Sequence, residues 1–196
     1  ARTKFSKGTW KLSLSSLVVS DEFDTSKPCV FQLLCDALKT SKVTEVDFSS
    51  CGLGPLAIEI LSDWVRDATA ALTSINCLVN QFGDDDLATL LMAIEGTSVR
   101  SLCGLTEGQT AADFSGQNLG PIDCKIMAAE YEFQGFIAAL NSLKCGNNPG
   151  MVGELEYGEL KTPDAHAEVF KQLTDNLKTS HIKTCSSTSL KIKPLV

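Results

Sequence analysis

The sequence predicts an α/β protein in which a strand, a turn and a helix recur along the chain. The phrase VTEVDFSSCGLGP, residues 43–55, returns in altered form as QTAADFSGQNLGP, residues 109–121. A frame of apolar residues at the first, fourth, sixth, ninth and eleventh positions fits the units that begin at Val43 and Leu72, 29 residues apart. Segments with helical spacing lie between these units. Strand and helix periods that alternate at a fixed distance indicate stacked repeats.

The first half of each unit is predicted to be a short strand followed by a turn. Its fourth and sixth residues point inward and its fifth outward, as in a β-strand, and its ninth, an Asn or a Cys, turns inward to bond backbone groups at the bend. A weaker copy begins at Leu140, where Gly150 replaces the eleventh apolar residue. We expect these inward side chains to line one stack of parallel strands: Val46, Phe48, Ile75, Cys77, Leu143 and Cys145.

The second half of each unit is predicted to be a helix, because its apolar residues recur at three and four positions. Pro55 and Pro121 suit the first turn of a helix. Helices are expected over residues 28–40, 56–68, 84–94, 121–140 and 164–178, with a break near Gly135. Degenerate strands are expected within residues 10–19 and 181–192.

The frame LxxLxLxxN/CxL resembles that of leucine-rich repeats, specifically the ribonuclease-inhibitor-like subtype with a full α-helix in each repeat. The resemblance implies an α/β leucine-rich repeat solenoid of about five to six repeats, with a curved parallel sheet on the concave side and helices on the convex side. Residues 1–196 would form a single domain. Its parts would be a degenerate N-terminal repeat over 1–42, two regular repeats over 43–98, an enlarged repeat with an insertion at 104–112 over 99–139, and C-terminal repeats over 140–196.

Composition and charge narrow the classes of function. The formal net charge of −7 disfavours nucleic-acid binding, and no apolar run reaches the roughly 18 residues of a membrane span. The eight cysteines contain no CxxC pair, which argues against zinc. They are expected to be buried thiols in a reducing compartment, most simply the cytoplasm; a disulfide framework is the alternative. The basic N-terminus, without an initiating Met, leaves open an organelle after removal of a transit peptide.

Two clusters could suggest chemistry. Asp84, Asp85 and Asp86 could be read as a calcium loop, but acids at a helix start also satisfy its N–H groups and its dipole. Asp164 and His166 could be placed in a hydrolase triad, but the chain has no GxSxG motif, and a helix start explains them. We therefore predict that the protein is not an enzyme and uses no metal or cofactor.

The outward positions of the strands are the candidate binding residues. In a solenoid these residues line the concave face, which leucine-rich repeat proteins usually use to bind protein partners. Leu78 and Val79 are two adjacent apolar side chains that the frame points outward, where they could anchor a partner. Two hypotheses remain open: a protein–protein interaction module that uses this face or the insertion, and an architectural subunit packed permanently in a larger assembly. The predicted contact residues are Glu45, Asp47, Asn76, Leu78, Val79, Arg100, Lys144 and Asn147.

Overall fold

Short parallel strands joined by helices form the framework of this computed structural model. It describes residues 2–6, 9–14, 30–67, 72–157, 159–179 and 184–186. These residues fall into two compact units, 1–106 and 107–196, each treated separately below. The boundary lies inside the predicted enlarged repeat, and the interpretation of 1–196 as one domain stays a prediction.

The first unit contains a four-stranded sheet. Its strands β1 (Arg2–Ser6), β2 (Thr9–Ser13), β3 (Glu45–Asp47) and β4 (Ser74–Asn76) are ordered β1-β2-β3-β4. Strands β2, β3 and β4 are parallel, whereas β1 pairs antiparallel with β2. Strand β2 confirms the strand predicted near the N-terminus. Strand β1 was not predicted, because residues 2–6, RTKFS, contain a single apolar residue, Phe5, and so show no strand alternation.

Helices follow strands β2, β3 and β4 where the spacing predicts them. They are α1 (Val30–Leu38), α2 (Pro55–Asp67) and α3 (Asp84–Ile94). The three aspartates open α3 as the helix-start interpretation predicts, and the Gly83 N–H donates to Asp86 Oδ2 at 2.8 Å. An acid at this position satisfies an N–H group that the helix itself leaves open.

The second unit combines a parallel sheet, a hairpin and two helices. Its elements are β5 (Ala111–Asp113), α4 (Pro121–Glu132), β6 (Ser142–Lys144), β7 (Glu154–Glu156), β8 (Glu159–Thr162), α5 (Ala167–Thr179) and β9 (Thr184–Ser186). The parallel sheet has the order β5-β6-β9, and β7 pairs antiparallel with β8. Helix α4 ends before Gly135 and a 3-10 turn follows at Phe136–Ala139, so the predicted break is confirmed. Strand β9 confirms the C-terminal strand; the β7–β8 hairpin was not predicted.

The side chains of Asn80 and Asn148 confirm the predicted role of the ninth position. Asn80 Oδ1 accepts from the N–H groups of Cys51 and Leu53 at 3.1 and 2.9 Å, and its Nδ2 donates to the Phe48 and Cys77 carbonyls, both at 2.9 Å. The residue before each Asn has a positive φ, 59° at both Val79 and Asn147. This left-handed turn brings the amide inward, so that one side chain satisfies several buried backbone groups.

The predicted stack of inward side chains is partly confirmed. All six residues are buried, from Ile75 at 0% exposed to Cys145 at 6%. The single stack is wrong, however, because Val46 and Ile75 lie in one hydrogen-bonded sheet and Leu143 lies in another. The start of the predicted enlarged repeat adds isolated bridges to β4, from Ser74 to Ser101 and from Asn76 to Cys103. Gly104 then takes a positive φ of 73°, which bends the chain out of the extended conformation after Cys103.

Candidate functional site

The outward face of the first sheet carries polar side chains in register. Lys11 and Glu45 are cross-strand neighbours in β2 and β3, and Lys11 Nζ lies 3.9 Å from Glu45 Oε2. The next outward pair is Ser13 and Asp47, where Ser13 Oγ donates to Asp47 Oδ2 at 3.2 Å. Side chains on adjacent parallel strands meet in this way because the strands are about 4.8 Å apart. Asn76 of β4 pairs with Asp47 of β3. These five residues are called the polar face: Lys11, Ser13, Glu45, Asp47 and Asn76.

Residues at the fifth position of the frame also hold the turn that follows each strand. Asp47 Oδ1 accepts from the Ser49 N–H at 3.1 Å, and Asn76 Oδ1 accepts from the Leu78 N–H at 3.2 Å. In the second unit, Asp113 Oδ1 accepts from the Ser115 N–H at 3.1 Å. An Asp or Asn that bonds the backbone two residues on forms an Asx turn. These side chains are therefore held in place before any partner arrives.

The prediction that Leu78 anchors a partner is wrong. Its side chain is only 1% exposed, because strand alternation ends at Asn76 and the Asx turn redirects the chain. Val79 is half-buried and carries the left-handed φ of this turn. Arg100 is exposed, but its Nη1 donates to the Thr97 and Val99 carbonyls at 3.0 and 2.8 Å, so the guanidinium folds back on its own loop.

Lys144 and Asn147 lie in the second unit and are exposed. Lys144 pairs across β5 and β6 with Asp113, and its Nζ lies 3.4 Å from Asp113 Oδ2. Hydrogen bonds from Ser115 and the nearby Lys144 charge lower the pKa of Asp113 from its ordinary value of 3.8. The Asp113 carboxylate is thus charged and oriented at neutral pH.

Glu45, Asp47 and Asn76 of the predicted contact residues lie on adjacent strands. Three further residues at outward strand positions were not among the predicted contact residues: Lys11, Ser13 and Asp113. Lys11 and Ser13 flank the inward Leu12 of a strand that was predicted, so alternation would have placed both of them outward. Asp113 sits at the fifth position of the second phrase, which corresponds to Asp47 of the first.

The other chemical candidates have structural roles among the described residues. Asp164 and His166 precede α5, and the His166 N–H donates to the Val152 carbonyl at 2.8 Å. The described part of the chain holds no group of three or more His, Cys, Asp or Glu side chains suited to a metal ion. Six cysteines are buried thiols, as predicted: Cys35, Cys51, Cys77, Cys103, Cys124 and Cys145. Burial and the nearby Asp123 and Cys145 raise the pKa of Cys124 to about 12.

No helix of the described residues is both long enough and apolar enough to cross a membrane.

Comparison with known proteins adds little to these observations. No family model matches the sequence, and no curated protein matches it. Among solved structures, the chain is similar to the C-terminal domain of tropomodulin from Caenorhabditis elegans, with 13% sequence identity over 86% of each chain and a TM-score of 0.39. A likeness at this level carries no argument, so the functional interpretation depends on the residues themselves.

Proposed function

We propose that the chain is a non-enzymatic protein–protein interaction module of the leucine-rich repeat type, and that the polar face of the first sheet contacts its partner. Under this proposal the polar face of the first unit corresponds to the concave face that leucine-rich repeat proteins use to bind their partners. The observation that carries the proposal is the register of Lys11, Glu45, Ser13, Asp47 and Asn76 on one side of three adjacent strands.

The pre-ordering of these side chains supports a binding role. Asp47 accepts three hydrogen bonds, from Ser13 Oγ, from the Ser49 N–H and from Ser49 Oγ, the last at 2.7 Å. Side chains already fixed by their neighbours lose little conformational entropy on binding. The side chains of the Lys11–Glu45 ion pair are 38% and 12% exposed, so mainly the Lys11 charge is available to set the specificity of a contact.

An alternative is an architectural subunit that permanent neighbours cover on its helical side. Exposed apolar residues of the first unit favour it: Val30 and Leu33 of α1 are 76% and 54% exposed, and Met92 of α3 is 67% exposed. Exposed apolar groups of this size are common where another protein packs. The alternative therefore predicts contacts through the helices instead of the polar face.

Paired charge reversals separate the two proposals. Glu45→Arg changes the polar face, and Glu59→Arg makes the same charge change on the exposed side of α2. Each variant and the unchanged chain would be used for affinity purification from a lysate of the source organism, with quantitative mass spectrometry of the captured proteins. Circular dichroism would first establish that both variants fold.

The interaction-module proposal expects Glu45→Arg to lose about tenfold or more of a specific partner while Glu59→Arg retains it. Retention by Glu45→Arg and loss by Glu59→Arg would contradict the proposal and support the architectural alternative. If both variants retain the partner, the polar face is not its binding surface.

A further inference from the structure

The β7–β8 hairpin of the second unit carries apolar side chains that its sheet does not bury. Leu155 and Leu160 are cross-strand partners, and they are 46% and 44% exposed. Tyr157 at the end of the hairpin is fully exposed and has a positive φ of 53°. A left-handed conformation is strained for a residue with a bulky side chain. These three side chains are called the hairpin patch.

Glycines fix the hairpin against the rest of the unit. A Cβ added to Gly153 would lie 2.5 Å from the Thr162 carbonyl oxygen and 2.6 Å from Leu160 Cδ1. A Cβ added to Gly150 would lie 3.0 Å from the Leu119 carbonyl oxygen and 3.6 Å from Leu155 Cδ1. The two leucines therefore rest against glycine backbone on one side and leave the other side open. These contacts hold the two leucines of the patch in a defined position.

An open groove runs beside the patch and has a volume of about 470 Å³. Its lining includes Pro121, Gly150, Glu154, Leu155, Lys161 and His166. The groove is large enough for one or two side chains of a partner. Its mixed lining of apolar and charged groups suits a side chain that has an apolar stem and a polar end.

The charge of the hairpin selects the kind of partner. The hairpin carries three acids, Glu154, Glu156 and Glu159, and one base, Lys161, whose Nζ lies 2.8 Å from Glu156 Oε2. Glu154 Oε2 accepts from Thr162 Oγ1 at 3.0 Å, which orients its carboxylate. The local charge is therefore negative, so phosphate groups and a second copy of the same acidic hairpin would both be repelled.

We propose that the hairpin patch and its groove dock a basic segment of a partner protein, in which Arg or Lys residues flank an apolar side chain. The apolar side chain contacts Tyr157 and Leu155, and the cations meet Glu154 and Glu159. Exposed aromatic residues beside apolar pockets are typical anchors of protein interfaces, and rim charges of opposite sign steer the approach. This surface is independent of the polar face.

The test measures fluorescence anisotropy of a labelled peptide of alternating Arg and Leu with the full chain. A peptide of alternating Glu and Leu serves as its charge-reversed counterpart. We expect the basic peptide to bind with a Kd on the order of 10–100 μM, the acidic peptide not to bind, and the affinity to fall as salt screens the glutamates.

Variants assign the binding to the patch. Tyr157→Ala removes a fully exposed ring, so the chain should stay folded while the affinity falls about tenfold. Glu154→Lys with Glu159→Lys should abolish binding. The matched control, Glu107→Lys with Glu132→Lys, makes the same change in net charge at exposed positions of the same unit and should bind nearly as well as the unchanged chain.

Equal weakening by the hairpin variants and the control would mean that the peptide responds to net charge only, and would overturn the proposal. Absence of binding at about 1 mM peptide would overturn it as well. Neither result bears on the polar face, whose test uses Glu45 and Glu59.

Discussion

Asn148 makes in the second unit the hydrogen bonds that Asn80 makes in the first. Asn80 Nδ2 donates to the Phe48 carbonyl at 2.9 Å, and Asn148 Nδ2 donates to the Phe114 carbonyl at 2.8 Å. Each Asn also accepts from a backbone N–H of the preceding turn, that of Leu53 at 2.9 Å or that of Leu119 at 3.2 Å. Both amides are buried, so each connects two successive repeats through groups that water does not reach.

Removal of either amide should therefore destabilise the fold. We expect Asn80→Ala and Asn148→Ala each to lower the free energy of unfolding by about 2–4 kcal/mol, because several buried N–H and C=O groups lose their partners. Urea denaturation measures this change. Asn141→Ala, at an exposed position, is the control and should change the free energy by less than about 0.5 kcal/mol. Equal effects at Asn141 and Asn148 would contradict the role of the buried amide.

The hydrogen bonds that Ser115 donates to Asp113 should be visible in the titration of that carboxyl. Because the Ser115 side chain is the main cause of the lowered pKa, Ser115→Ala should return the pKa part of the way toward 3.8, although it keeps the backbone N–H of the Asx turn. Lys144→Gln should move the pKa less. A lowered folded pKa stabilises the protein above the unfolded pKa, and this contribution is lost as the pH falls through the folded value. NMR titration of the Asp113 carboxyl carbon measures the shift. A larger change with Lys144→Gln would show that the ion pair dominates.

Cys124 should make stability fall at alkaline pH. Its pKa rises from 9.0 to about 12 in the folded protein, so the folded chain keeps a proton that the unfolded chain releases. The contribution is complete below pH 9 and is lost as the pH rises toward 12, by roughly 2–4 kcal/mol in total. Urea denaturation at several pH values compares the unchanged chain with Cys124→Ala. The stability difference between them should shrink as the pH rises; a constant difference would contradict the assignment.

Gly153 should be essential to the hairpin for steric reasons. Its added Cβ would contact the Thr162 carbonyl oxygen and Leu160 at once, so Gly153→Ala should displace β8 and destabilise the unit by about 1–3 kcal/mol. Gly120→Ala is the control, because its added Cβ meets only Asp123 Oδ2 at 3.9 Å. Hydrogen exchange of the β7 and β8 amides reports the displacement. Unchanged hydrogen exchange of these amides in Gly153→Ala would contradict this role of Gly153, because the hairpin would then accommodate the added methyl group without being destabilised.

The repeated frame explains why much of the fold could be predicted. A residue such as Ile75 or Leu143 must be buried for its unit to pack. The spacing of such apolar residues therefore predicts the positions of the strand, the turn and the helix. Asn80 and Asn148 were recognisable for the same reason, since a polar residue at an otherwise apolar position needs buried partners.

The remainder depended on features that the frame does not encode. Leu78 was placed outward because alternation was extended one turn too far, past the point where Asn76 ends the strand. Gly104 interrupts the apolar frame, but the spacing did not predict its positive φ of 73° or the division of the strands into two sheets. The hairpin was missed although ELEYGELKT, residues 154–162, alternates polar and apolar residues, because the repeat frame does not place a strand between the turn near Gly150 and the helix that follows.

The most direct test of the repeated architecture is the pattern of inter-strand nuclear Overhauser effects. We expect parallel contacts between Val46 and Ile75 in the first sheet and between Ala112 and Leu143 in the second, because each pair shares one register position. Antiparallel contacts, or the absence of both sets in the folded chain, would contradict the claim that one strand–turn–helix unit is used repeatedly.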